Sequence, residues 1–283
     1  MTKLFWNSCC SHPPFSLPHL LYIRAYFMKL LLRLIQVLYT IYAFAVFAVL
    51  MFLLFPFIAI ASLFGRMQGG NVIYNICRFW SQACLLLWGI HHKNYFEARH
   101  NPDHPCIFLF NHISYMDIPI LMCTFRYQHI RVLGKAEIGR VPVFGFIYRN
   151  AVVSVVRSSM ADRAKSVQVL KSVLKKNISV VIAPEGTFNM TGEPLKDFYD
   201  GAFRIAIQTK TPIKPVIFLD AFDRLHYKSL LSMTPGKSRA IYLEQVAVEQ
   251  YTLADIEALK QKVYNQMAEA LKRHNASWIT HEQ

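Results

Sequence analysis

The chain has 283 residues, with 31 Lys and Arg against 17 Asp and Glu, a formal net charge of +14 and a hydrophobic fraction of 54%. A basic balance suits nucleic acid, an anionic membrane surface or acidic small substrates. A mean hydropathy of +0.25 favours the last two, and the lack of any basic block with interleaved aromatics, zinc-finger spacing or RNA-binding signature argues against nucleic acid.

The six cysteines, Cys9, Cys10, Cys77, Cys84, Cys106 and Cys123, form no C-x-x-C pair. They are expected as thiols in a reduced compartment, and no clustered Cys and His ligands suggest a metal site.

Residues 1–27 read as an irregular extension, because Pro13, Pro14 and Pro18 oppose a continuous helix. Met28-Lys-Leu-Leu-Leu-Arg33 resembles the start of a membrane protein, so the first 27 residues read as the product of a mis-set start. Residues 34–65 carry no charge, which is long enough for a membrane-embedded helix. Lys29 and Arg33 precede the run, while Arg66, Arg78, Lys93 and Arg99 follow it, so charge bias assigns no topology. Pro56 permits a kink or a re-entrant bend, and a single span and a monotopic hairpin both fit. Residues 71–90, with Arg78, Trp80 and Trp88, fit an interfacial helix or a core helix equally. Residues 28–90 are thus expected to anchor the chain, ahead of a domain over 91–283.

Past His91 the pattern is α/β. Strand candidates fall at 106–110, 130–133, 151–156, 178–182, 213–219 and 240–248, with helices at 160–176 and 202–209 between them. The expected fold is a mixed, mostly parallel sheet flanked by helices and preceded by an N-terminal membrane-embedded helical segment. Thr252 with Asp255 predicts a capping box for a last helix, whose apolar stripe is Leu259, Val263 and Met267.

The apolar run ending at Phe110 meets Asn111-His112, and Asp117 follows five residues after the histidine. Five is the wrong spacing for one helical face. If the two meet, His112 lies in the turn before a helix and Asp117 in its first turn, where a carboxylate could orient an imidazole. A turn histidine satisfying a backbone group fits the same spacing. Glu185-Gly186-Thr187 ends another apolar strand, at the carboxyl edge where open α/β sheets bind ligands. Lys135 and Arg157 each follow a strand candidate, and two cations there would bind a phosphate well.

In order, N-H-I-S-Y-M-D, K-A-E-I-G-R-V-P-V-F-G with Arg157, A-P-E-G-T and T-P-I-K-P-V resemble the four blocks of the glycerolipid acyltransferase family, the group containing lysophosphatidic acid acyltransferase. The resemblance spans roughly residues 94–248 and implies His112 as general base, Asp117 as its orienting partner, and Lys135 and Arg157 as phosphate ligands. Glu185, Gly186 and Thr187 would shape the acceptor pocket. It also implies membrane localisation with a cytoplasmic catalytic domain, membrane lipids and a lysophospholipid acceptor as partners, and acyl-CoA or acyl carrier protein as thioester co-substrate, with no other cofactor. One departure stands out: the family's arginine after E-G-T is Phe188, followed by Asn189. Acylation of a lyso amino-acid lipid, or lipid binding without catalysis, are the rival expectations.

Overall fold

The computed structural model describes residues 17–155 and 160–280. The first helix, α1, runs Leu17–Ser62 without interruption at Pro56. The expected irregular stretch is therefore corrected from Leu17 onward. Pro18 is the second residue of the helix, where a missing backbone N–H removes no intrahelical bond. Over residues 21–62 α1 is long and apolar enough to cross a membrane, and most of its large apolar side chains are exposed.

The chain reverses through a π-turn, Gly65–Gly69, into α2, Gly70–Leu87. Gly69 permits the reversal, because a Cβ there would stand 2.2 Å from the Ala61 carbonyl oxygen. The two helices pack as a hairpin, with Phe47 against Trp80 at 4.6 Å between ring centroids. Trp88 Nε1 donates to the Ala43 carbonyl at 3.0 Å.

The sheet has seven strands in the order β1-β7-β6-β2-β5-β3-β4. They are β1 Ile90–Phe96, β2 Ile107–Phe110, β3 Ile130–Lys135, β4 Val153–Val155, β5 Ser179–Ile182, β6 Ile213–Phe218 and β7 Gly236–Tyr242. Among the described strands β6–β7 is the one antiparallel pair. β2, β5 and β6 are buried at every residue, as central parallel strands covered on both faces must be. Two expectations need correction. The unforeseen β1, Ile-His-His-Lys-Asn-Tyr-Phe, holds one edge by parallel pairing with β7, and β7 begins at Gly236 and ends at Tyr242 rather than reaching 248.

Five helices complete the packing: α3 Asp117–Thr124, α4 Phe144–Ala151, α5 Met160–Leu174, α6 Gly201–Thr209 and, beyond the short α7 Ala221–Arg224, α8 Ile256–Arg273. Thr252 and Asp255 form the capping box before α8, and Leu259, Val263 and Met267 are fully buried. Cys77, Cys84, Cys106 and Cys123 are buried free thiols.

Candidate active site

β2, β5, β3 and β4 run parallel, so their carboxyl ends share one edge of the sheet. β5 lies on one side of β2 and β6 on the other. Such a switch point opens a crevice beyond the strand ends, and His112 stands in it, two residues after β2.

Asn111 fixes this exit. Its buried amide donates to the Phe218 carbonyl at 3.0 Å and accepts from the Phe218 N–H at 2.7 Å, tying the end of β2 to β6. The chain then turns into α3, where Asp117 is the first residue. Asp117 Oδ2 accepts from the N–H groups of Ile113 and Ser114, at 2.8 and 2.9 Å, and lies 2.8 Å from His112 Nδ1. Asp117 is 1% exposed and the His112 side chain 25% exposed. A carboxylate accepts only, so Nδ1 carries the proton and Nε2 presents a lone pair. Nε2 has no hydrogen-bond partner among the described residues. Asp117 Oδ1 is buried without a partner among the described residues, a cost of roughly 1–3 kcal/mol carried beside the His112 imidazole.

Glu185 follows β5 and braces the histidine from beneath. Its Oε1 accepts the His112 N–H at 2.9 Å and its Oε2 the Lys196 N–H at 2.9 Å. Burial pushes its carboxyl up to about 7, against the opposing pull of those two backbone donors. Gly186 has φ +70°, a left-handed conformation natural to glycine, and it turns Thr187 outward to accept from Lys196 Nζ at 3.0 Å. The Asn189 N–H donates to the His112 carbonyl at 2.8 Å. Between them Phe188 meets the His112 ring with centroids 4.4 Å apart, and Tyr115 meets Phe188 at 4.8 Å.

The structure thus joins His112, Asp117, Glu185, Gly186 and Thr187 in one cluster. Lys135 stands apart from it. It ends β3, two strands from β2, which at about 4.8 Å per strand is roughly 10 Å away along the same edge. Its side chain is 55% exposed, 4.0 Å from Glu137. Arg157 lies outside the described residues, two positions after β4. Lys196 and Asn189 were not foreseen. Asn189 carried one available signal, its position immediately after the E-G-T-F turn.

A buried strand delivering a histidine locked to a buried carboxylate, with a free Nε2 facing a crevice, can deprotonate a hydroxyl or protonate a leaving group. The family model described as Acyltransferase matches residues 90–219, from β1 through the end of β6. Residues 90–219 form an acyltransferase domain. This acyltransferase is 26% identical to human 1-acyl-sn-glycerol-3-phosphate acyltransferase beta over 83% of its own length and 85% of the relative's. It is 28% identical to the lyso-ornithine lipid O-acyltransferase of Pseudomonas aeruginosa over 56% of its length and 60% of that protein. Its fold matches the 1-acyl-sn-glycerophosphate (LPA) acyltransferase PlsC of Thermotoga maritima with a TM-score of 0.65 and 19% identity, covering 86% of this chain and 97% of that one.

Proposed function

We propose that this acyltransferase moves a fatty acyl group from a thioester to the free hydroxyl of lysophosphatidic acid, giving phosphatidic acid for phospholipid synthesis. The observation that carries the reading is the 2.8 Å bond from His112 Nδ1 to buried Asp117. His112 Nε2 takes the hydroxyl proton as the alcohol oxygen attacks the thioester carbonyl. The tetrahedral intermediate collapses with C–S cleavage, and the imidazolium returns its proton to the departing thiolate. Asp117 holds the tautomer and balances the transient positive charge. Glu185 sets the height of His112 by holding its backbone, while Lys135 and Arg157 offer cations to the acceptor's phosphate. The names of the relatives matched above support this acceptor.

The donor is acyl-CoA or acyl carrier protein. Both are acidic, and a net charge of +14 favours their recruitment. The domain works at the membrane, on its cytoplasmic side, where these donors are found.

A second reading keeps the chemistry and changes the acceptor to a lyso amino-acid lipid. Phe188, an uncharged ring in contact with His112, favours it, as does similarity to a lyso-ornithine lipid enzyme. Lipid binding without catalysis is disfavoured, since it gives no reason to hold an imidazole in one tautomer. Turnover by purified protein, with lysophosphatidic acid and lyso-ornithine lipid offered against both thioesters, decides between them. Preference for lysophosphatidic acid is expected. Preference for the amino-acid lipid overturns the acceptor, and no turnover with any pair overturns the activity.

A further inference from the structure

The edge of the sheet opposite His112 holds a second polar cavity of about 280 Å³. Its walls come from α2 and from the segments leading into β2, β3 and β5, and include Asn75, Arg78, Asp103, Arg126, His129 and Asn177. Strands of four to six residues put it roughly 13–20 Å from the catalytic edge, so it is not part of the crevice around His112.

Arg78 is the unusual member. It is half-buried, and among the described residues it makes no hydrogen bond or ion pair. Burial pushes its guanidinium below the ordinary value, and the positive charge of Arg126 adds to that push. Removing a cation from water without a counter-charge is unfavourable, and Arg126 adds a second positive charge to the same hollow. Arg126 is exposed, leans on the Tyr127 ring at 4.8 Å and donates to the Tyr127 hydroxyl at 2.6 Å. Asp103 shares the cavity but forms no ion pair with either arginine among the described residues. Two forked guanidiniums converging on one hollow match the oxygens of a phosphate.

The surroundings are apolar. Asn75 lies between Val72 and Phe79 on the outer face of α2, with Leu86 one heptad beyond, and these three are 46%, 60% and 75% exposed. A cationic hollow flanked by an exposed apolar helix face is the composition of a lipid headgroup site at a membrane surface. We propose that the Arg78–Arg126 cavity binds a phosphate-bearing anion, supplied as the headgroup of an acidic lipid, at a site separate from the catalytic crevice.

The test uses the full-length protein in neutral detergent, reading the thermal midpoint as ligand is added, since a ligand that binds the native state raises it. The probes are dihexanoyl phosphatidylglycerol, inorganic phosphate and, as a phosphate-free control, dihexanoylglycerol. Phosphatidylglycerol should stabilise the native protein saturably and dihexanoylglycerol should not. In Arg78→Ala and in Arg126→Glu the half-saturating concentration should rise at least about tenfold, the usual weight of one charged hydrogen bond. A response to phosphatidylglycerol alone supports a lipid headgroup site. An equal response to inorganic phosphate supports the anion site and removes the lipid from the proposal. Because Arg126 is exposed, Arg126→Glu preserves the fold and carries the test even if Arg78→Ala does not fold. Acyl transfer by Arg126→Glu should stay at the native level, confirming that the catalytic edge is untouched. An unchanged half-saturating concentration in Arg126→Glu, or no response of the native protein to either anion, overturns the proposal.

Discussion

The rings of His112 and Phe188 meet at 64° with their centroids 4.4 Å apart. Such an edge-to-face pair is worth about 0.5–1.5 kcal/mol, and here it restrains the imidazole from the side that Asp117 leaves open. Phe188→Ala should lower kcat roughly two- to tenfold with little change in the fold. Phe188→Arg should act in two directions. A guanidinium beside the imidazole disfavours the imidazolium and lowers kcat for every acceptor, while a new cation near the crevice lowers KM for lysophosphatidic acid. Steady-state kinetics on a phosphorylated and an amino-acid lysolipid separate the two. A fall in the relative efficiency for the phosphorylated acceptor would contradict the acceptor proposed above.

His112→Ala should remove acyl transfer by about 10²–10⁴. Asp117→Asn should be comparably severe for a different reason. The Ile113 and Ser114 N–H groups hold the amide oxygen where Oδ2 stood, so Nδ1 keeps an acceptor but the imidazolium formed during attack loses its counter-charge. Circular dichroism should show both variants folded. More than half the native rate in a folded His112→Ala protein would end the mechanism.

Glu185 makes stability depend on pH. Its folded pKa of about 7 stands above the ordinary 4.5 because it is buried. Its contribution is therefore fully present below about 4.5, declines as the unfolded chain ionises, and is lost once pH passes about 7. The change is a few kcal/mol at most, at about 1.4 kcal/mol for each pH unit between the two values. Thermal midpoints measured from pH 4.5 to 8 should fall more steeply in the native protein than in Glu185→Gln. Parallel curves would show that the carboxyl titrates normally.

Lys135 is exposed and its contact with Glu137 is long, so Lys135→Ala should change stability by no more than about 0.5 kcal/mol. Its effect should fall on catalysis, as a roughly tenfold loss of efficiency with a phosphorylated acceptor. An amino-acid acceptor should be used as before. Equal losses on both would remove Lys135 from phosphate binding.

Removing residues 1–27 should leave activity intact, since the retained part of α1 keeps its contacts with α2. Removing residues 1–65 should do more than detach the protein from membranes. It uncovers Trp80 and Trp88 and removes the Ala43 carbonyl that receives Trp88 Nε1. It also leaves Arg66 and Met67, whose carbonyls accept from the Arg131 guanidinium at 3.1 and 2.9 Å, as a cut end with no helix before it. Insoluble or unfolded protein is expected, and a soluble, fully active fragment would show that α1 is dispensable to the domain.

Much of the catalytic edge was legible because its chemistry is local. An apolar strand ending in Asn-His, with an acid five residues on, leaves few arrangements in which the two side chains meet, and α3 begins at the acid as that spacing requires. The brace from Glu185 was not legible. Its partners are backbone N–H groups of His112 and Lys196, and no side-chain pattern announces a backbone donor 73 residues away. β1 was missed for a related reason. Its sequence, Ile-His-His-Lys-Asn-Tyr-Phe, has no apolar run and becomes a strand through pairing with β7. The start of α1 was misplaced because Pro18 was weighed as a helix breaker, which it is not in a first turn.

At about 1.5 Å per residue, the 46 residues of α1 make a rod roughly 70 Å long, more than twice the roughly 30 Å depth of bilayer hydrocarbon. Its uncharged half is no lone stalk. Ala43, Phe47 and Phe55 are seated on Trp88, Trp80 and Phe146 of the domain, while Leu38, Phe52, Leu53 and Phe57 turn outward. One flank packs on protein, and the other is the apolar, exposed face that a membrane would cover. The same helix grips the turn beyond α7, through Gln36 to the Ser232 carbonyl and Thr40 to the Met233 N–H. The start of that turn is bonded in its turn to Ser114, two residues from His112. Two hydrogen bonds from α1 and one to Ser114 therefore tie the exposed apolar helix to the turn that carries His112, so a push on the anchor is felt at the site.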